Sequence, residues 1–152
     1  MYLGSGYGVK LNPNCILGYT DDETVMLDFD DTPFKKVKYW AQVAMKHFEL
    51  GGFLILKSSE NHYHVVFNHR VNWAENMSIV AWVSLQSNNQ NMLRYLRMQC
   101  IKKSSTLRIG PKGEKPSPRI VYREGNEDTQ IKEYLETRKF LKKRSGALVK
   151  SL

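Results

Sequence analysis

Cysteine is scarce in this chain: Cys15 and Cys100 are the only two among 152 residues. Two thiols so far apart make neither a disulfide framework nor a cysteine-rich zinc site, so stability must come from an ordinary core. Cys100, in an apolar stretch with helical spacing, is expected to be buried on a helix. Long apolar runs are missing too. No stretch approaches the roughly 20 residues that span a bilayer, and "MYLGSGYGVKLNPN" lacks the basic, apolar and small-residue order of a signal peptide. These absences predict a soluble, cytoplasmic protein with no membrane partner. Internal repeats, low-complexity tracts and long linkers are absent as well, which leaves a single domain over residues 1–152.

Aromatic residues are plentiful. With 8 Tyr, 6 Phe, 3 Trp and a hydrophobic fraction of 41%, the chain can bury a core and is not a disordered polyelectrolyte. The net charge of +8 is unevenly spread: residues 1–60 carry 6 Lys/Arg against 8 Asp/Glu, and residues 61–152 carry 17 against 7. A basic second part points to a polyanion partner, nucleic acid ahead of an acidic membrane surface.

The order of elements follows from periodicity. Residues 1–23 read as loop with a short strand near Cys15–Tyr19. Gly4, Gly6 and Gly8 make no dinucleotide loop, because no strand leads in and no helix follows. "TVMLDFDD" alternates as a strand, with Met26, Asp28 and Asp30 on one face and Leu27 and Phe29 on the other. Thr32-Pro33 predicts a helix start by cap and first-turn proline, and Phe34, Val37, Ala41, Ala44 and Phe48 carry the helix to Gly51-Gly52. "GFLILKSS" and "HYHVVF" are two strands joined at Ser59-Glu60-Asn61. Two helical segments follow, separated at Ser87-Asn88-Asn89. "STLRIG" and "PRIVYRE" then suggest a β-hairpin with a proline-rich loop, and residues 126–144 form a basic amphipathic helix. The plan is α+β: a ferredoxin-like or RNA-recognition-motif-like split βαβ sandwich, an antiparallel sheet with helices on one face, plus a C-terminal helix.

In that plan the strand at 24–31 and the strand at 62–67 are central neighbours, so Asp28 and Asp30 should lie beside His62 and His64 on the open face. Two carboxylates two residues apart suit Mg2+ or Mn2+; the plain alternative is an acidic strand end. A His-x-His pair can hold a metal, or can simply face solvent. Lys57, Ser58 and Ser59 upstream offer a cation, two hydroxyls and turn amides to a phosphate. His47 and His69 have no such company. Arg108, Lys112, Lys115, Arg119 and Arg123 cluster near the hairpin, with Arg119 and Arg123 on a shared face, where they can meet phosphates or merely protect an edge. Lys139, Lys142, Lys143 and Arg144 suit a nucleic-acid backbone or a solvated helix face.

This combination resembles the catalytic palm of the archaeo-eukaryotic primase and primase-polymerase superfamily, over roughly residues 24–123. "LDFD" matches its acidic strand motif with Asp28 and Asp30. "SSENHYHVVF" matches its small-residue and histidine motif with Ser58 or Ser59 and His64, and "TLRIGPK" matches its late Arg and Lys with Arg108 and Lys112. The resemblance implies a nucleic-acid- and nucleotide-binding replication protein. Asp28 and Asp30 would bind Mg2+ or Mn2+, and His64, His62, Ser59 and Arg108 would lie at the triphosphate. The basic hairpin and tail would track DNA or RNA, and a replication partner protein would assist. The family's third acid has no match, since no Asp or Glu lies between Glu75 and Glu114. "HYHVVF" is also similar to the metal-binding strand of HUH rolling-circle initiators, which would make His62 and His64 joint ligands and Tyr95 the nucleophile, with Arg94, Arg97 or Lys102 nearby. A non-catalytic nucleic-acid-binding module of the same fold is the third possibility. Phe29, Tyr63 and Phe67, placed opposite the polar pairs, look like core and not base-stacking platforms.

Overall fold

Among the described residues, alternating strands and striped helices give ten elements: β1 Gly18–Asp21, β2 Thr24–Phe29, α1 Phe34–His47, β3 Gly52–Ser59, β4 His62–Arg70, α2 Trp73–Gln86, α3 Gln90–Lys102, β5 Ser105–Arg108, β6 Arg119–Gly125 and α4 Gln130–Ser151. The computed structural model describes residues 16–151, with side chains through Arg144. Cys15 and the Gly4, Gly6 and Gly8 segment lie outside the described residues.

The helix boundaries have local causes. Val37, Ala41 and Ala44 form the buried stripe of α1. Pro33 occupies its N-cap position and no side chain caps it; the Thr32 hydroxyl, expected to cap, donates instead to the Asp30 carbonyl at 2.8 Å. The helix ends before the glycines, where Glu49 takes a φ of 53° and the Leu50 amide donates to the Met45 carbonyl. Asparagines start the next two helices: Asn72 accepts from the Glu75 amide and Asn89 from the Met92 amide.

Four strands pair antiparallel in the order β2-β4-β3-β6, and β1 pairs with β5 in a separate ribbon. Helices α1, α2 and α3 cover one face, burying Leu27, Phe29, Phe53, Ile55, Val65 and Phe67. This is the α+β, ferredoxin-like sandwich. The C-terminal helix and the ribbon cover part of the second face, where Met26, Leu54, Leu56 and Val66 pack beneath Tyr19, Leu107, Ile109, Ile131, Tyr134 and Leu141.

Four expectations need correction. The hairpin does not form, because β5 pairs with β1 and β6 pairs with β3; a β5–β6 hairpin would leave both of those edges unpaired. Strand β2 pairs with β4 as expected, but β4 and β3 are the central strands and β2 lies at an edge. Arg119 and Arg123 face opposite ways. Ile55 pairs with Tyr122 and Leu56 with Ile120, so Val121 is an extra residue, and a one-residue bulge flips every side chain beyond it. Cys100 is exposed, because the polar Gln99 takes the inward position, donating to the Tyr95 carbonyl and accepting from the Thr106 amide.

Backbone crosses backbone where β3 begins and β6 ends. A Cβ on Gly52 would lie 2.2 Å from the Asn126 oxygen and 2.8 Å from the Glu124 oxygen. Neither group is a flexible tip that can give way. Gly52→Ala is therefore expected to destabilise the fold by about 3 kcal/mol, read as a lower urea midpoint at unchanged slope.

Candidate functional site

The site grows from one register. Across the β2–β4 ladder Asp28 stands opposite His64, and Phe29 opposite Tyr63. Period-two alternation sends Phe29 and Tyr63 into the helical side, and turns Asp28, His62 and His64 toward the other face. On the neighbouring strand the pairing steps from Lys57–Tyr63 to Ser59–His62, which leaves Ser58 as a bulge residue. Its hydroxyl donates to the His62 carbonyl at 3.1 Å. The bulge brings both Ser58 and Ser59 to the wall of a cleft of about 220 Å³, with Asp28, Asp30, His62 and His64. Thr106 and Arg108 of β5 close the opposite wall, and Lys112 and Lys115 stand on the loop beyond.

Within the cleft the two histidines differ. His62 is half-exposed and engaged on both sides: Nδ1 lies 2.7 Å from Asp30 Oδ1, and Nε2 lies 3.6 Å from Asp31 Oδ1. His64 is buried, with Nε2 3.8 Å from Asp28 Oδ1 and Nδ1 without a hydrogen-bond partner among the described residues. At 3.8 Å the His64–Asp28 contact is too long for a hydrogen bond.

Burial sets their charge states. It pushes the Asp28 carboxyl up to about 7, aided by the Asp30 charge and opposed by His62 and Arg108. Burial likewise pushes His64 down to about 3, with Arg108 adding to the effect. At neutral pH His64 is an uncharged imidazole, and Asp28 is close to its midpoint. The Asp28 side chain keeps 29% of its surface exposed, and so remains reachable.

Arg108 is the brace of the cleft. Its Nη1 donates to the carbonyls of Gly110 at 2.6 Å and Pro116 at 2.9 Å, and Nη2 to the carbonyl of Ser58 at 3.3 Å. Three of the five guanidinium N–H groups are thus committed to backbone. The remaining two form no hydrogen bond among the described residues.

Several expected residues lie elsewhere. Lys57 faces the helical side with Tyr63 and pairs with Glu60 at 2.9 Å. Arg119 stands beside Lys57 across the β3–β6 ladder. Arg123 pairs with Glu127. Lys139, Lys142 and Lys143 are exposed on α4, which Arg138 ties to the proline-rich loop through the Pro118 carbonyl. Tyr95 packs between the two apolar clusters; its hydroxyl is buried, and that burial raises its pKa. Tyr95 does not line the cleft, contrary to what a nucleophile requires. His47 stacks on Trp82 at 4.4 Å, a packing role. Thr106 and the Ser58 bulge were not foreseen, because both depend on pairings that local periodicity does not fix.

Among the described residues no group of three or more His, Cys, Asp or Glu side chains is arranged to hold a metal ion. Magnesium and manganese bind through one or two carboxylates completed by substrate phosphates and water, and Asp28 and Asp30 are the carboxylates of the cleft that could take part in holding such an ion. Among the described residues no helix is long and apolar enough to cross a membrane.

The fold and cleft define a class: an α+β sandwich with an acid–histidine cleft walled by basic residues. No family model matches the chain, and the search of curated proteins finds no match.

Proposed function

We propose that this cleft binds nucleotides and nucleic acid, and that the protein is a primase-polymerase-like nucleotidyl transferase acting in replication. One observation carries the reading: Asp28 stands directly opposite His64, in a cleft whose walls also hold Asp30, Ser59, Arg108, Lys112 and Lys115. Paired acids next to converging cations suit a triphosphate better than any neutral ligand.

In this reading the two free N–H groups of Arg108 and the ammonium groups of Lys112 and Lys115 hold phosphate oxygens. The Ser59 hydroxyl adds a neutral donor. His64, kept uncharged by burial, offers one N–H without drawing the carboxylates away. Asp28 and Asp30 would hold Mg2+ or Mn2+, which when bound neutralises charge on the transferring phosphoryl group. The lysines Lys139, Lys142 and Lys143 track the template backbone, and a replication partner protein supplements so small a core.

The test is primer synthesis and extension on a single-stranded template with magnesium or manganese. Product is expected from the wild type and not from Asp28→Ala. A covalent protein–DNA adduct, lost in Tyr95→Phe, would instead establish the HUH-type nickase. Salt-sensitive binding without either product would leave the non-catalytic module, in keeping with the missing third acid.

A further inference from the structure

We propose that a second cleft, on the far side of the Asp30-Asp31 turn, seats a nucleotide unit of a single-stranded nucleic acid; this rests on the first cleft being the phosphate site. The second cleft, of about 410 Å³, is walled by Lys36 and Trp40 of α1, by the turn between α2 and α3, and by Arg94 of α3. Asp30 lines both clefts. The two clefts are thus neighbours across the Asp30-Asp31 turn.

Three features together match a nucleotide. Trp40 is half-buried, packed against the helical-side core, and its indole lines the cleft among mostly polar residues. Bases of any sequence stack on such a ring. Asn88 and Asn91 line the same cleft, and their amides carry both donors and acceptors suited to a base edge. Lys36 and Arg94 provide charge; among the described residues neither forms an ion pair, and Arg94 makes only a 3.2 Å bond to Asn91. An acidic peptide would use the two cations and leave the ring and amides idle.

A strand is favoured over the base of the incoming nucleotide. The first cleft already holds the cations that a triphosphate needs, so two more in the second are redundant for that nucleotide. A strand presents one phosphate per residue, and can use them.

The experiment is anisotropy with a fluorescein-labelled oligothymidylate, at several salt concentrations, on the full chain. In the double variant Lys36→Ala/Arg94→Ala, affinity is expected to fall about tenfold and the slope of log K against log salt to flatten by about 1.4, since each single-strand phosphate contact contributes about 0.7. Magnesium-dependent binding of a nucleoside triphosphate should stay within about twofold. Trp40→Phe keeps the core filled and should remove much of the tryptophan quenching that the oligonucleotide causes, with the salt slope unchanged. Far-UV dichroism checks the fold of each variant. An unchanged affinity and slope in the double variant overturns the proposal, as does weakened triphosphate binding with oligonucleotide binding intact, which would give the cleft to the incoming nucleotide. If Asp28→Asn loses triphosphate binding while the double variant binds strand normally, the second cleft fails and the first stands. If the wild type binds neither ligand, both readings fall.

Discussion

Asp28→Asn is expected to weaken magnesium-dependent nucleotide binding about 100-fold and yet make the protein harder to unfold at pH 8. The two effects come from the same burial. With its carboxyl raised from an ordinary 3.8 to about 7, Asp28 is ionised at pH 8 at a penalty of about 4 kcal/mol relative to the unfolded chain. Asparagine fills the same volume and carries no charge to desolvate. Allowing for the 29% of the side chain that remains exposed and for amide burial, a gain of about 2 kcal/mol should survive, which raises Tm by roughly 5 °C at this chain length. Function moves the other way. Losing one of two carboxylates removes a ligand worth several kcal/mol, so nucleotide affinity in magnesium should fall about 100-fold. Calorimetric titration with a nucleoside triphosphate and thermal unfolding, both at pH 8, check the pair. A carboxylate present only for folding would give the reverse: lower Tm and unaltered binding. His62→Ala is a milder variant, since its ring faces Asp30 and Asp31 and acts on Asp28 only as a charge that ranks behind burial and Asp30.

Local periodicity made part of this cleft legible. The alternation of Leu27, Asp28 and Phe29, and of His62, Tyr63 and His64, fixes which side chains leave the core, and the split βαβ order makes their two strands neighbours. That sufficed to bring Asp28 and His64 face to face. What remained hidden depends on register and on non-local pairing. Two bulges, at Ser58 and Val121, reverse the facing of everything beyond them, and no hydrophobic pattern marks a bulge. Hence Arg119 went to the wrong face, and the bulge that sets Ser58 on the same wall as Ser59 was not foreseen although both serines were expected there. The β1–β5 ribbon links segments 86 residues apart at Thr20 and Thr106, whereas sequence proximity favoured a hairpin. Trp40 was passed over because it falls beside the stripe of Val37, Ala41 and Ala44, where an aromatic ring can be half core and half surface.

A stability profile against pH should show two opposite slopes hidden inside a flat wild type. His64 has a folded value of about 3, below its ordinary 6.5. Its contribution is complete above 6.5 and is lost as pH falls toward 3. Asp28 has a folded value of about 7, above its ordinary 3.8. Its contribution is complete below 3.8 and is lost as pH rises toward 7. Between pH 4 and 6.5 the unfolded chain carries the proton on His64 and the folded chain carries it on Asp28. The number bound is equal, so the pair adds no slope. Removing either member exposes the other: relative to wild type, and with the same allowance for exposure, Asp28→Asn should gain about 2 kcal/mol of stability from pH 4 to 6.5, and His64→Gln should lose about 3 kcal/mol. The separation is clean because burial, not mutual attraction, leads in both shifts, and neither residue figures among the causes of the other's shift. Urea unfolding in the presence of EDTA, at half-unit steps of pH, measures all three curves. Three parallel curves would mean that the pair is not desolvated as the geometry of the cleft requires, and would remove the reason His64 is available as a neutral donor at a phosphate.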